Sequence, residues 1–140
     1  MTIRDTLAPL LEAIEAASRW LESCGVDAAV VGGVAASLHG RPRATGDVDF
    51  VAVVDPQQWP TLLARGASFG IVARTMGRPG VLAARHQPTL IEVDLRPATQ
   101  AFERELVERA VTKRVGGVAI RVGTAEDLEQ LARMFPRASG

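Results

Sequence analysis

One cysteine, one lysine and no tyrosine mark this 140-residue chain. Cys24 alone excludes an internal disulfide and predicts a protein kept in a reducing cytosol. The longest apolar stretch, residues 28–36, falls far short of the ~20 residues a membrane-spanning helix needs. A single early arginine, Arg4, has no apolar run behind it, so no secretory leader is expected. Charge of one sign is also missing: 16 basic residues balance 16 acidic ones, which argues against broad electrostatic binding to nucleic acid. Without tyrosine, ring stacking is left to four phenylalanines and two tryptophans, for which the core competes. Repeats, low-complexity tracts and linkers are lacking too, so one domain over residues 1–140 is expected, with room for a single core.

Arginine, by contrast, is plentiful. Fifteen of the sixteen cations are arginine, and seven of these lie between Arg41 and Arg96 against five acids. Genome composition accounts for such a preference in general. Individual arginines beside carboxylates are nonetheless suited to bidentate phosphate binding.

The pattern of apolar residues and turn signals predicts a mixed α/β domain, a small mixed sheet flanked by helices. Leu7, Leu10, Leu11, Ile14 and Leu21 recur at helical spacing behind a cap at Asp5 or Thr6, and Gly25 stops that helix. Residues 28–31 read as a buried strand, 34–39 as a short helix and 47–54 as a second strand. Beyond Asp49 the second strand is apolar on both faces, which places it centrally in the sheet, with only its polar start facing a cleft. Asp55-Pro56 opens a helix through Arg65, and short strands are expected at 71–75, 81–86 and 89–95. Pro97 breaks the chain before a helix over 99–111. Gly116-Gly117 centre a hairpin or bent strand over 114–122, and Thr124-x-x-Asp127 has the form of a capping box for a last helix ending at Pro136.

The chemistry concentrates in two motifs. Val30-Val31-Gly32-Gly33 is an apolar run closed by paired glycines, which suits a tight strand-to-helix turn and close approach of the backbone, above all at Gly33, to a phosphate. Thirteen residues later, Asp47-Val48-Asp49-Phe50 carries two aspartates at i and i+2, so on a strand both carboxylates share one face. Like charges so close repel, and a bound divalent cation relieves them. Together these outline a phosphoryl-transfer site. Two solvated aspartates at the start of a strand are the plain alternative. The glycines do not form a Walker loop, since no Lys-Ser/Thr follows, nor a dinucleotide fingerprint, since the third glycine is missing. In Ile91-Glu92-Val93-Asp94-Leu95-Arg96 the polar residues alternate, so Glu92 and Asp94 share a face and Arg96 could simply pair with Asp94. Arg43 is a candidate for neutralising phosphate charge, and Thr45 leads into the carboxylates. Ser37 can offer a hydroxyl to phosphate. His39 and His86 stand apart with no cysteine nearby, which argues against zinc; packing or a hydrogen bond near the loop is expected for His39.

Gly32-Gly33, then Arg43-x-Thr45-x-Asp47-x-Asp49, then Asp94, resembles the nucleotidyltransferase (polymerase β-like) superfamily. More narrowly, Gly-Gly-x-Ala-x-x-x-His-Gly-Arg over 32–41, running into 43–49, resembles its small bacterial branch, which includes toxin components of toxin–antitoxin pairs. The resemblance covers about residues 28–128. It implies a nucleotidyltransferase fold and transfer of a nucleoside monophosphate from a nucleoside triphosphate to an acceptor hydroxyl on RNA or protein. It further implies Mg²⁺ (or Mn²⁺) on Asp47, Asp49 and Asp94, with Asp94 as the third carboxylate and general base. Nucleotide contacts fall to Gly32, Gly33, Ser37, Arg43 and Thr45, the compartment is cytoplasmic, and an antitoxin is an implied partner. Relatives in that branch continue past the Glu126-Asp127-Leu128 helix with a lysine and further helices; here Arg133 stands roughly where the lysine is expected. The alternative implied by that departure is a catalytically inactive binding or regulatory module on the same fold.

Overall fold

Helix α1 (Ile3–Ser23) starts one turn earlier than the apolar spacing suggests. Thr2, not Asp5, is its cap: the Thr2 hydroxyl accepts the Asp5 N–H while the Asp5 carboxylate accepts the Thr2 N–H, a reciprocal box. A computed structural model of the chain describes residues 2–41, 45–75 and 77–135. Strand β1 (Ala28–Val31) runs straight into α2 (Gly32–Leu38), so both glycines belong to the helix rather than to a turn before it. Strand β2 (Asp47–Ala52) follows, then a 3₁₀ turn capped by Asp55 that leads into α3 (Trp59–Gly66). Three strands come next, β3 (Ile71–Ala73), β4 (Leu82–His86) and β5 (Ile91–Pro97). Pro97 is the last residue of β5, which runs two residues past the expected end of that strand. Helix α4 (Ala101–Arg109) precedes the hairpin of β6 (Val111–Val115) and β7 (Val118–Val122), which turns at Gly116-Gly117, and α5 (Ala125–Met134) closes the described chain.

The seven strands form one mixed sheet in the order β3-β4-β5-β2-β1-β7-β6. β2 lies at its centre, parallel to β5 and antiparallel to β1. Its period-two alternation divides the molecule. Val48, Phe50 and Ala52 join Val93 and Leu95 in the main core, beneath α1 and α2, where Leu7, Ile14, Trp20 and Val34 are fully or almost fully buried. Val51, on the opposite face, packs with Ala29 and Val31 under Leu106 and Val107 of α4 and Leu131 of α5. Asp47 and Asp49 share the Val51 face. The helices on that face cover Val51 and leave the start of β2 open. No helix among the described residues is long and apolar enough to cross a membrane.

Besides the packing of Leu131, two side-chain contacts anchor α5. Its cap Thr124 accepts the Asp127 N–H, but the Asp127 carboxylate does not return to the cap as a capping box requires. It turns instead to Arg109 at the end of α4, accepting from Nε at 2.9 Å and Nη2 at 3.0 Å. That bidentate bond raises the Arg109 pKa above its ordinary value. At the other end of α5, the Arg96 guanidinium lies over the Phe135 ring, 3.5 Å from its centroid.

Candidate functional site

Register brings the carboxylates together. In the parallel β2–β5 ladder Asp49 stands opposite Asp94, and Asp47 opposite Glu92. Carboxylate oxygens of Asp47, Asp49 and Asp94 lie within 4.8 Å of one another. Asp49 and Asp94 are buried and Asp47 is half-buried. The alternation that left Glu92 and Asp94 equivalent in sequence is thereby resolved: the Glu92 side chain is 53% exposed and paired with Arg74, outside the trio. Three oxygen donors converging from two neighbouring strands fit a hard divalent cation such as Mg²⁺ or Mn²⁺.

Gly32 makes the close approach possible. It adopts φ +72°, and a Cβ on it would lie 2.7 Å from the Asp49 Oδ2 atom. β1 pairs with β2 so that Val31 sits opposite Asp49, which sets Gly32 against that carboxylate. Gly33 behaves differently from the sequence expectation. It is buried in the first turn of α2, takes no positive φ and does not line the cleft.

The cleft beside the carboxylates encloses about 1000 Å³. Val31, Gly32, Asp49 and Asp94 form its floor, Arg41, Arg78 and Arg96 its rim, and Leu128, Leu131 and Phe135 of α5 an apolar wall. His39 also lines it, with Nε2 2.7 Å from the Gly123 carbonyl, a bond that ties α2 to the segment leading into α5. Arg96 does not pair with Asp94. Its Nε donates to Glu103 at 2.9 Å, because the buried Glu103 carboxylate collects donors at the start of α4.

Of the other residues singled out in sequence, Thr45 lies outside the cleft lining and donates its hydroxyl to the Asp47 carbonyl at 3.2 Å, steadying the start of β2. Ser37 is fully buried, has no exposed surface toward the cleft and makes no hydrogen bond through Oγ among the described residues. Arg43 lies outside the described residues. Arg133 bonds Gln130 at 2.9 Å and pairs with Glu129 on its own helix.

Two cations at the carboxylates escaped the sequence reading. Arg74 hydrogen-bonds Asp94 Oδ1 and reaches the Ala84 carbonyl at 3.4 Å. Arg78 Nη2 stands 3.7 Å from Asp49 Oδ1 and 3.7 Å from Asp94 Oδ2. The excess of arginine between residues 41 and 96 was the available signal, but only the β4–β5 pairing selects these two.

No family model matches the chain, and no curated protein matches it in sequence. Solved structures do match. The antibiotic-resistance factor ANT(2'')-Ia superposes with a TM-score of 0.61 at 17% identity, over 93% of this chain and 75% of its own. Another structure of that factor, in complex with adenylyl-2''-tobramycin, matches with a TM-score of 0.57 at 17% identity, over 90% of this chain and 78% of its own. A Thermotoga maritima protein assigned as a nucleotidyltransferase gives 0.60 at 17% identity, over 96% and 86%. An antigenic nucleotidyltransferase-like protein from Paracoccidioides brasiliensis gives 0.59 at 20%, over 93% and 68%. The chain has the nucleotidyltransferase fold.

Proposed function

We propose that this protein is a metal-dependent nucleotidyltransferase that moves a nucleoside monophosphate from a nucleoside triphosphate to an acceptor hydroxyl. The observation that carries this reading is the convergence of Asp47, Asp49 and Asp94, with oxygens within 4.8 Å, at the open end of the central strands of this fold. In the proposed reaction the acceptor oxygen attacks the α-phosphorus in line, the bond to the bridging oxygen breaks and pyrophosphate leaves. Asp47, Asp49 and Asp94 would hold Mg²⁺ or Mn²⁺, which supplies charge stabilisation for the phosphoryl oxygens. Asp94 takes the proton of the attacking hydroxyl. Gly32 keeps side-chain bulk away from the phosphates, Gly33, Ser37 and Thr45 support the adjoining segments, and Arg43 is assigned to the triphosphate. The apolar wall of α5 receives the base or the acceptor.

The acceptor is an alcohol. RNA or protein follows from the resemblance to the toxin-type branch, with an antitoxin as its partner. The adenylyl-2''-tobramycin complex supports an antibiotic hydroxyl as a third class.

The test is incubation with each nucleoside triphosphate and Mg²⁺ or Mn²⁺, against pooled RNA, host protein and an aminoglycoside. Pyrophosphate release and transfer of label from the α-phosphate are followed. Metal-dependent release that is lost in Asp49→Asn is expected. Tight nucleotide and metal binding without pyrophosphate release in the presence of any acceptor would assign the chain to a non-catalytic binding module instead.

A further inference from the structure

Arg74 and Arg78 both face the buried carboxylates, yet they are held in different ways. Arg74 follows β3 directly, and its side chain is 16% exposed. It is bound by the Asp94 carboxylate and the Ala84 carbonyl, with Glu92 at 3.5 Å, so it is part of the frame. Arg78 is 58% exposed, and its 3.7 Å separations from Asp49 and Asp94 are ion-pair distances, too long for hydrogen bonds.

The backbone beneath Arg78 is nevertheless built to bring it there. Ala83 pairs with Asp94 across the β4–β5 ladder and leaves a shallow spot beside the carboxylate. Gly77 packs into it so closely that a Cβ would stand 2.8 Å from the Ala83 Cβ. On the other side, Arg78-Pro79-Gly80-Val81 is a turn closed by the Val81 N–H on the Arg78 carbonyl at 3.1 Å, with Gly80 at φ +76°. The main chain is thus fixed on both sides of a side chain that is exposed and held by charge alone. Such a guanidinium can leave its position without any change in the fold.

We propose that Arg78 is an exchangeable counter-ion of the site. Without metal it offsets the mutual repulsion of Asp49 and Asp94. When a divalent cation binds those oxygens, Arg78 is released and turns its charge to the triphosphate in the same cleft. A doubly charged ion in direct contact with the carboxylates outcompetes a single charge 3.7 Å away. The displaced guanidinium then sits at the rim of the cleft with five donors and no acid to satisfy, which suits phosphate. The inference rests on the reading of Asp49 and Asp94 as metal ligands.

Its signature is two effects of opposite sign from one substitution. Mn²⁺ affinity of the nucleotide-free protein is measured by titration calorimetry and by the paramagnetic resonance of free Mn²⁺. Affinity for a non-hydrolysable nucleoside triphosphate is measured at saturating Mn²⁺. Arg78→Ala should bind Mn²⁺ about fivefold more tightly, the effect of one unit charge near 4 Å in water. It should bind the triphosphate at least about tenfold more weakly, as for loss of a charge-assisted bond. Arg78→Lys keeps the charge and should bind Mn²⁺ as the wild type does. Mn²⁺ affinity in Arg78→Ala that is unchanged or weaker, or triphosphate affinity that is unchanged, overturns the exchange while leaving the metal site standing. Failure of the wild-type protein to bind Mn²⁺ overturns both this inference and the proposed function.

Discussion

Gly32 and Asp49 are spatial complements: the space a side chain would occupy at Gly32 is filled by the Asp49 carboxylate, 2.7 Å from where a Cβ would stand. Gly32→Ala therefore meets two penalties, a strained positive φ and a forced displacement of Oδ2. A loss of stability of at least ~1 kcal/mol is expected, read by urea unfolding. Mn²⁺ affinity of the folded fraction should fall with it. Gly33→Ala, at an ordinary φ outside the cleft lining, should keep wild-type Mn²⁺ affinity; an equal loss in both variants would show that the helix start as a whole, not the Gly32–Asp49 contact, shapes the site.

The carboxylates separate by role. Asp47→Asn, Asp49→Asn and Asp94→Asn each remove ligand charge at constant size, and each should lower turnover by at least ~10²-fold. Melting temperatures of Asp47→Asn and Asp49→Asn should hold or rise, since like-charge repulsion is relieved, whereas Asp94→Asn, which breaks the buried pair with Arg74, should melt lower. Glu92→Gln, which loses only an exposed ion pair with Arg74, should cost ~0–1 kcal/mol and leave turnover near wild type. Comparable losses of turnover at Glu92 and Asp94 would refute the register-based choice between them.

Glu103 supports the cleft from behind. Its fully buried carboxylate accepts from the Thr99 N–H at 3.0 Å, the Thr99 hydroxyl at 3.2 Å, the Gln100 N–H at 3.1 Å and Arg96 Nε at 2.9 Å. Glu103→Ala strands those donors and should destabilise by ~3 kcal/mol in chemical denaturation. Arg96→Ala, which removes a partly exposed partner, should cost less; a larger cost would place the stabilisation in the Arg96–Phe135 stack instead.

Leu90 is the one non-glycine among the described residues with a positive φ, +62°, and its side chain is exposed at the β4–β5 turn. A leucine held there is strained by ~1 kcal/mol. Leu90→Asn should raise the melting temperature, and a fall would mean that the leucine makes a contact worth more than its strain.

The parts of the fold legible in sequence were those with local signals. β1 ends where Gly32 interrupts an apolar run, and β2 is central because its residues after Asp49 are apolar on both faces. The hairpin at Gly116-Gly117 and the Thr124 cap are likewise local. Asp47 and Asp49 could be paired from the pleat alone. What escaped depended on partners far away in sequence. Glu92 and Asp94 are indistinguishable until the β2–β5 register is known. Arg74 and Arg78 reach Asp94 across β4, where Ala83 stands opposite Asp94 with only a methyl group, a relation no spacing encodes. The expected second arm of the box at Thr124 does not form because Arg109, eighteen residues from Asp127, takes the carboxylate instead.

The attachment of α5 has a consequence for how such a protein can diversify. One anchor, Arg109–Asp127, lies apart from the strands that hold Asp49 opposite Asp94, whereas the other, Arg96–Phe135, starts on β5 itself, two residues beyond Asp94. Replacements at Ala125, Glu129 and Ala132, which line the cleft without making either anchor, can therefore recontour the wall while the ladder keeps its register. Novelty in the ligand and constancy in the chemistry thus fall on different stretches of chain that meet at Arg96.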